Sequence, residues 1–122
     1  MNEDNASKGR VSRGHVYLLD YLMGMRQNMC RQLLLNMGYI DIGRMVAFTD
    51  GYRACQYANG IEDEEYGLFR DWLRDVKHEF PTEGWGEKYL RDCEGDHERA
   101  IQKYLDFVAE FVALREREKQ GG

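Results

Sequence analysis

The chain has 122 residues, 43% hydrophobic and 12% aromatic, enough for one domain with a real core and too short for two. Residues 1–46 hold six Lys/Arg and four Asp/Glu, whereas residues 47–122 hold eleven and eighteen, giving a formal net charge of −5. A surface this acidic repels phosphates, which argues against DNA or RNA binding and suits solubility or a basic protein partner.

Residues 1–13 are polar, with Ser7, Lys8, Gly9, Arg10, Ser12 and Arg13, and read as a flexible N-terminal arm ahead of a single helical domain over 14–120. They contain no apolar run of signal-peptide length. Asp20, Arg26 and Arg31 interrupt the longest apolar stretches, so no membrane span fits, and a cytoplasmic location is expected. One proline, few β-branched residues and abundant Leu, Met, Glu, Arg and Ala favour helix over strand. The expected fold class is all-α, a compact bundle of four to five amphipathic helices.

The first helix is predicted from about His15 to Met37. Leu18, Leu22, Met25, Met29 and Leu33 recur at spacings of three and four, and Leu19, Cys30, Leu34 and Met37 widen the stripe. So much apolar girth implies burial on several sides or, alternatively, a homo-oligomer formed through this helix. Gly24 is the point where it would kink or split. The second helix, about Ile42 to Ala58, is capped by Asp41 and stopped by Asn59-Gly60. Met45, Phe48, Tyr52 and Cys55 mark its inner face, joined by Val46 and Thr49. Gly51 in its middle suggests a close approach by another helix.

The third helix is predicted from Glu64 to Phe80, with Phe69, Trp72, Leu73, Val76 and Phe80 buried and Pro81 as the stop. Glu62, Asp63, Glu64 and Glu65 crowd its start, where the helix dipole favours negative charge. A short fourth helix, about Glu83 to Cys93, has Thr82 as its cap and turns Trp85, Tyr89 and Leu90 inward. The fifth starts at the cap Asp96 and runs to about Glu118 on a stripe of Ile101, Tyr104, Leu105, Val108, Phe111 and Val112.

Signatures of chemistry are absent from the sequence. His15, His78 and His97 are scattered, and no cysteine lies within four residues of another, so neither a metal site nor a cofactor is expected. Cys30, Cys55 and Cys93 are odd in number and widely spaced, which reads as reduced thiols, with Cys30 and Cys55 on apolar faces. The only serines, Ser7 and Ser12, lie in the arm, and no phosphate-cradling glycine loop occurs. No catalytic residue is assigned.

Two surfaces qualify as candidate sites. The first is acidic: Glu62, Asp63, Glu64 and Glu65, continued by Asp71 and Asp75, which share a helix face at a spacing of four. It would dock a basic protein; the alternative is helix capping and solvation. The second is an aromatic pocket around Asp50, Tyr52, Trp72, Trp85 and Tyr104, opened by the missing side chain at Gly51. Its alternative is plain core packing, with Tyr52 inside and Asp50 solvated.

Phe48-Thr49-Asp50-Gly51-Tyr52, Phe69-Arg70-Asp71-Trp72-Leu73, Gly84-Trp85, and Tyr104 through Glu110-Phe111 follow one another over residues 48–111. In order and spacing they resemble a family of small bacterial helical proteins, some members of which are similar to immunity proteins and lie among toxin or antitoxin genes. That family carries an Arg-Pro-Gly-Met-Tyr segment upstream, where this chain has Arg26-Gln27-Asn28-Met29-Cys30, without the proline or glycine. The resemblance, together with the acidic balance after residue 46 and the absent catalytic signatures, leads to the expectation of a non-enzymatic binding protein of bacterial or phage origin, immunity-like or inhibitory, that covers a partner with its acidic face. A small-molecule-binding module and a homo-oligomeric scaffold are the alternatives.

Overall fold

The computed structural model describes residues 15–79 and 84–121, apart from the side chain of Cys30. The expected arm, Phe80, Pro81, Thr82 and Glu83 lie outside the described residues. Among those described there are six helices and no strand. They are α1 (Leu18–Gln27), α2 (Met29–Met37), α3 (Ile42–Ala58), α4 (Glu64–Asp75), α5 (Trp85–Asp92) and α6 (His97–Gly121).

The long α6 is the central strut, packing against α1, α3, α4 and α5. Its stripe of Ala100, Ile101, Tyr104, Leu105, Val108 and Phe111 is buried, at the helical spacing that puts these side chains on one face. Phe69 of α4 lies against Tyr104 and Phe111, with ring centroids 6.0 and 5.6 Å away, and Trp85 of α5 stacks on Tyr104 at 4.1 Å and 14°. Such offset contacts add to what the buried area contributes.

The helix count exceeds the expectation because the first helix splits. The break falls at Asn28 (φ −139°, ψ 59°), whereas Gly24 stays inside α1. Asparagine is a poor helix-interior residue, and the break lets α2 pack on both α1 and α3. Leu33 and Met37 are buried there, but Leu34 and Leu35 are exposed, so α2 is apolar on a broader arc than the domain covers.

The inner face of α3 is also rotated from expectation. Ile42, Met45, Thr49 and Gln56 are buried, Phe48 and Tyr52 are half-buried, and Cys55 is exposed. Two polar residues occupy that face because each is satisfied. Thr49 Oγ1 donates to the Val46 carbonyl at 2.9 Å, and Gln56 is held by side chains described below. Gly51 is exposed, and a Cβ there would meet nothing within 4 Å, so no helix crosses it. The close approach is instead at Gly86 of α5, where a Cβ would come within 2.7 Å of Val46 Cγ2.

The third predicted helix ends at Asp75, five residues early. Val76 is its C-cap and 61% exposed, and the chain turns through His78 at φ 58°, with the Glu79 amide donating to the Leu73 carbonyl at 2.9 Å. The caps of α3 and α6 are those expected. Asp41 Oδ1 accepts from the Arg44 amide at 2.9 Å and Asp96 Oδ1 from the Arg99 amide at 3.1 Å.

Candidate functional site

The acidic run at the start of α4 divides by burial. Asp63 is 6% exposed and belongs to the interior. Its Oδ2 accepts from the Leu18 amide at 2.9 Å and from Gln56 Nε2 at 2.7 Å, while Oδ1 accepts from the Tyr66 amide at 3.3 Å. One carboxylate therefore answers the free amides at two helix starts, α1 and α4. Gln56 Oε1 accepts from Arg53 Nη1, and its Nε2 also meets His15 Nε2, each at 3.0 Å. Asp63 is thus a buried tie and drops out of any docking surface.

Glu65 is spoken for as well. Arg115 of α6 binds it through two parallel bonds, Nε to Oε1 at 3.0 Å and Nη2 to Oε2 at 2.8 Å. Hydrogen bonding to Arg115 is the main reason its carboxyl lies below the usual range. Asp71 and Asp75 share a face as predicted, yet Arg74 sits on both, at 3.4 and 2.8 Å. Arg74 offsets one of their two charges, and neither residue lines the cleft described next.

Glu62 and Glu64 remain exposed, with no cation partner among the described residues. They line a cleft of about 390 Å³ between the N-terminal ends of α1 and α4 and the last turns of α6. Asp20 and Glu116 join them there, likewise unpaired among the described residues, opposite Lys119 and the engaged Arg115. Leu19 and Val112 give the cleft apolar lining, and the half-exposed Tyr17 lies at its edge. A shallower depression on the other side of Glu62 and Glu64 carries Arg53, Ile61 and the 88%-exposed Tyr57. Sequence reading missed Asp20 and Glu116. Asp20 sits off the Leu18–Leu22–Met25 stripe, so its exposure was readable; its meeting with residues more than forty positions away was not.

The five residues of the expected aromatic pocket do not converge. Tyr52 packs with Tyr21 at 5.6 Å and Phe48 at 6.0 Å, and its hydroxyl donates to the Val16 carbonyl. Burial first, then the neighbouring Tyr21, pushes its phenol up. Trp72 sits among Phe69, Phe107 and Phe111. Tyr104 is buried, its hydroxyl 3.2 Å from that of Tyr66, and burial raises its phenol far above the usual value. These three are core and its margin.

Asp50 and Trp85 do share a surface, a groove of about 640 Å³ between α3 and α5. Its other walls are Asp41, Ile42, Gly43, Val46, Gly84, Gly86, Glu87, Leu90 and His97. His97 Nδ1 accepts from the Ile42 amide at 3.0 Å, which leaves Nε2 to carry the ring proton.

Among the described residues no three His, Cys, Asp or Glu side chains gather as a metal would require. Cys93 is buried and Cys55 exposed, neither with a base in hydrogen-bonding contact. No helix among the described residues is long and apolar enough to cross a membrane. The arrangement offers recognition of positive charge beside apolar surface. Comparison of the chain with protein-family models, with curated proteins and with solved structures finds no match.

Proposed function

We propose that this chain is a non-enzymatic binding protein, of the inhibitor or immunity kind, that docks a basic protein partner at the cleft between α1, α4 and α6. The observation that carries the proposal is the concentration of four carboxylates unpaired among the described residues, Asp20, Glu62, Glu64 and Glu116, around a cleft with apolar lining and a half-exposed tyrosine. Carboxylates outnumber the two cations of the cleft, Arg115 and Lys119, and such an excess of one sign speeds association with a ligand of the opposite sign. Tyr17 and Tyr57 at the edges are of the residue type enriched in interfaces.

The test is paired affinity capture from host extract at low and high salt, with the wild type and Glu62→Lys/Glu64→Lys. The wild type should retain a basic protein at low salt and lose it as salt rises, and the double variant should retain at least about tenfold less. Asp71→Lys/Asp75→Lys serves as the comparison: neither residue lines the cleft. A partner held equally by both variants and the wild type, or no partner at any salt, overturns the reading.

A second reading, self-association through α2, is favoured by Leu34, Leu35 and Tyr39, which are 48%, 70% and 59% exposed. Light scattering across a concentration series tests it, a dimer mass supporting it and a constant monomer mass sinking it.

A further inference from the structure

The groove between α3 and α5 shares no residue with the cleft proposed above, so the two stand or fall separately. Its floor is apolar: Ile42 and Val46 from α3, Trp85 and Leu90 from α5. Gly86 sets its depth. With no side chain there, α5 lies directly on Val46, and the half-buried indole of Trp85 is brought beside the α3 surface. One face of that indole is covered by Tyr104, at 4.1 Å, so the open part of the ring belongs to the groove. At about 640 Å³ the space is of the size that takes a small organic molecule.

The charge around it selects the ligand. Among the described residues its carboxylates are Asp41, Asp50 and Glu87, and no lysine or arginine lines it. Two of the three answer helix starts. Asp41 caps α3, and Glu87 lies in the first turn of α5, whose cap residue Gly84 provides no side-chain acceptor. The start of α6 is closed by Asp96. An anion entering the groove would therefore meet helix ends already served by carboxylates, and repulsion besides. Asp50 lies in the third turn of α3, beyond the reach of that helix's dipole, and has no partner among the described residues. A cation, by contrast, finds Asp50 and Glu87 without an ion-pair partner among the described residues, Glu87 bearing only on the start of α5, next to the indole whose ring face attracts positive charge.

We propose that this groove binds a small organic amine with an apolar body, its ammonium between the Asp50 and Glu87 side of the groove and the Trp85 ring, and its body along Ile42, Val46 and Leu90.

Three probes with the same eight-carbon body separate charge from hydrophobicity: octylammonium, octanoate and octan-1-ol. Each is titrated into the full chain labelled with 15N, following the two indole resonances, with Trp72→Phe to assign them. Octylammonium should shift the Trp85 indole together with the Gly43 and Gly86 amides and leave the Trp72 indole in place. It should bind at least about tenfold tighter than octanoate at low salt, since one ammonium–carboxylate contact in a half-open groove is enough for that preference. Asp50→Asn/Glu87→Gln, both at exposed positions, should remove the preference while keeping the folded spectrum. Three probes binding alike, shifts scattered over other surfaces, no shift at millimolar octylammonium, or unchanged preference in the double variant would each overturn the proposal.

Discussion

Replacing Asp63 by alanine tests the central structural claim, that this residue of the acidic run is an internal tie. The side chain accepts three hydrogen bonds, from the Leu18 amide, the Tyr66 amide and Gln56 Nε2, while almost fully buried. A bond to a charged acceptor is worth about 1.5–3 kcal/mol net, and buried donors left without partners add their own cost. Relaxation and entering water return part of this, so a loss of about 3–5 kcal/mol is expected out of a stability of about 5–15 kcal/mol. The chain supplies its own comparison in Asp41 and Asp96, which cap α3 and α6 nearer the surface and should lose only about 0.5–2 kcal/mol on truncation to alanine. Asp63→Asn should cost less than alanine. With its oxygen turned toward the Leu18 amide and Gln56 it keeps those two bonds, and only the Tyr66 amide meets its NH2 group, donor against donor. Urea unfolding of the four variants gives the ordering. If Asp63→Ala costs no more than Asp41→Ala, the carboxylate is a solvated cap, and the argument that removes it from the docking surface fails.

Glycine substitutions should separate the two helices they sit on. Gly86→Ala should destabilise by about 1–3 kcal/mol, because its Cβ would lie 2.7 Å from Val46 Cγ2. Gly51→Ala should stabilise by about 0.5–1 kcal/mol, since open space surrounds it in mid-helix; thermal melts that rank the two the other way would refute the assignment. Asp92 accepts from Lys88 at 2.7 Å and Lys103 at 2.9 Å, which holds its carboxyl down at about 2. Because that lies below the unfolded value, the pair's stabilisation is complete above about pH 4 and is lost as pH falls toward 2, so Asp92→Asn should flatten stability across that window. Equal pH slopes for both proteins would show that the ion pairs contribute nothing. Tyr104→Phe removes the hydroxyl that meets Tyr66 and should cost about 1 kcal/mol in urea unfolding, with the aromatic stacking kept.

Much of the fold was legible because the signals were local. Helical spacing placed α3, α4 and α6 to within a few residues at most ends, and Asp41 and Asp96 announced their caps by residue type. What failed was whatever depended on a neighbour. Apolarity alone favoured Phe48, Tyr52 and Cys55 over Gln56 as the inner face of α3. Gln56 goes inside only because Asp63, Arg53 and His15 satisfy it. Likewise a glycine in mid-helix looked like a packing contact at Gly51, while the contact lies at Gly86, in the first turn of a short helix where glycine draws little notice. Of the eleven residues singled out for function, Glu62, Glu64, Asp71, Asp75, Asp50 and Trp85 reach open surfaces, Glu65 is held by Arg115, and Tyr52, Tyr104, Asp63 and Trp72 serve the core and its edge.

The acidic charge of the chain acts in two ways that a count along the sequence cannot separate. Glu65, Asp71, Asp75, Glu79 and Asp92 face cations at 3.4 Å or less. Seen from one Debye length away, about 8–10 Å, a one-to-one pair is a dipole, and Asp71 and Asp75, which share Arg74, act with half their charge. They hold α4, α5 and α6 in place but do little to draw in a ligand. Among the described residues Asp20, Glu62, Glu64 and Glu116 have no such partner and converge on one cleft, while Asp50 and Glu87 flank the groove. Their charge is not offset by a contacting cation there, so these six act on a molecule that approaches either surface. This also reverses a choice that linear order suggests. Glu116, near the end of the chain, is the obvious neutral control for a docking experiment, whereas its place beside Glu62 makes Glu116→Lys a disruptive change. Asp20 comes from residues 1–46, which have a net positive balance, and still lines the cleft with Glu62, Glu64 and Glu116. Charge pairing is decided in space, so the strength of an acidic site follows from which carboxylates the fold leaves unmatched.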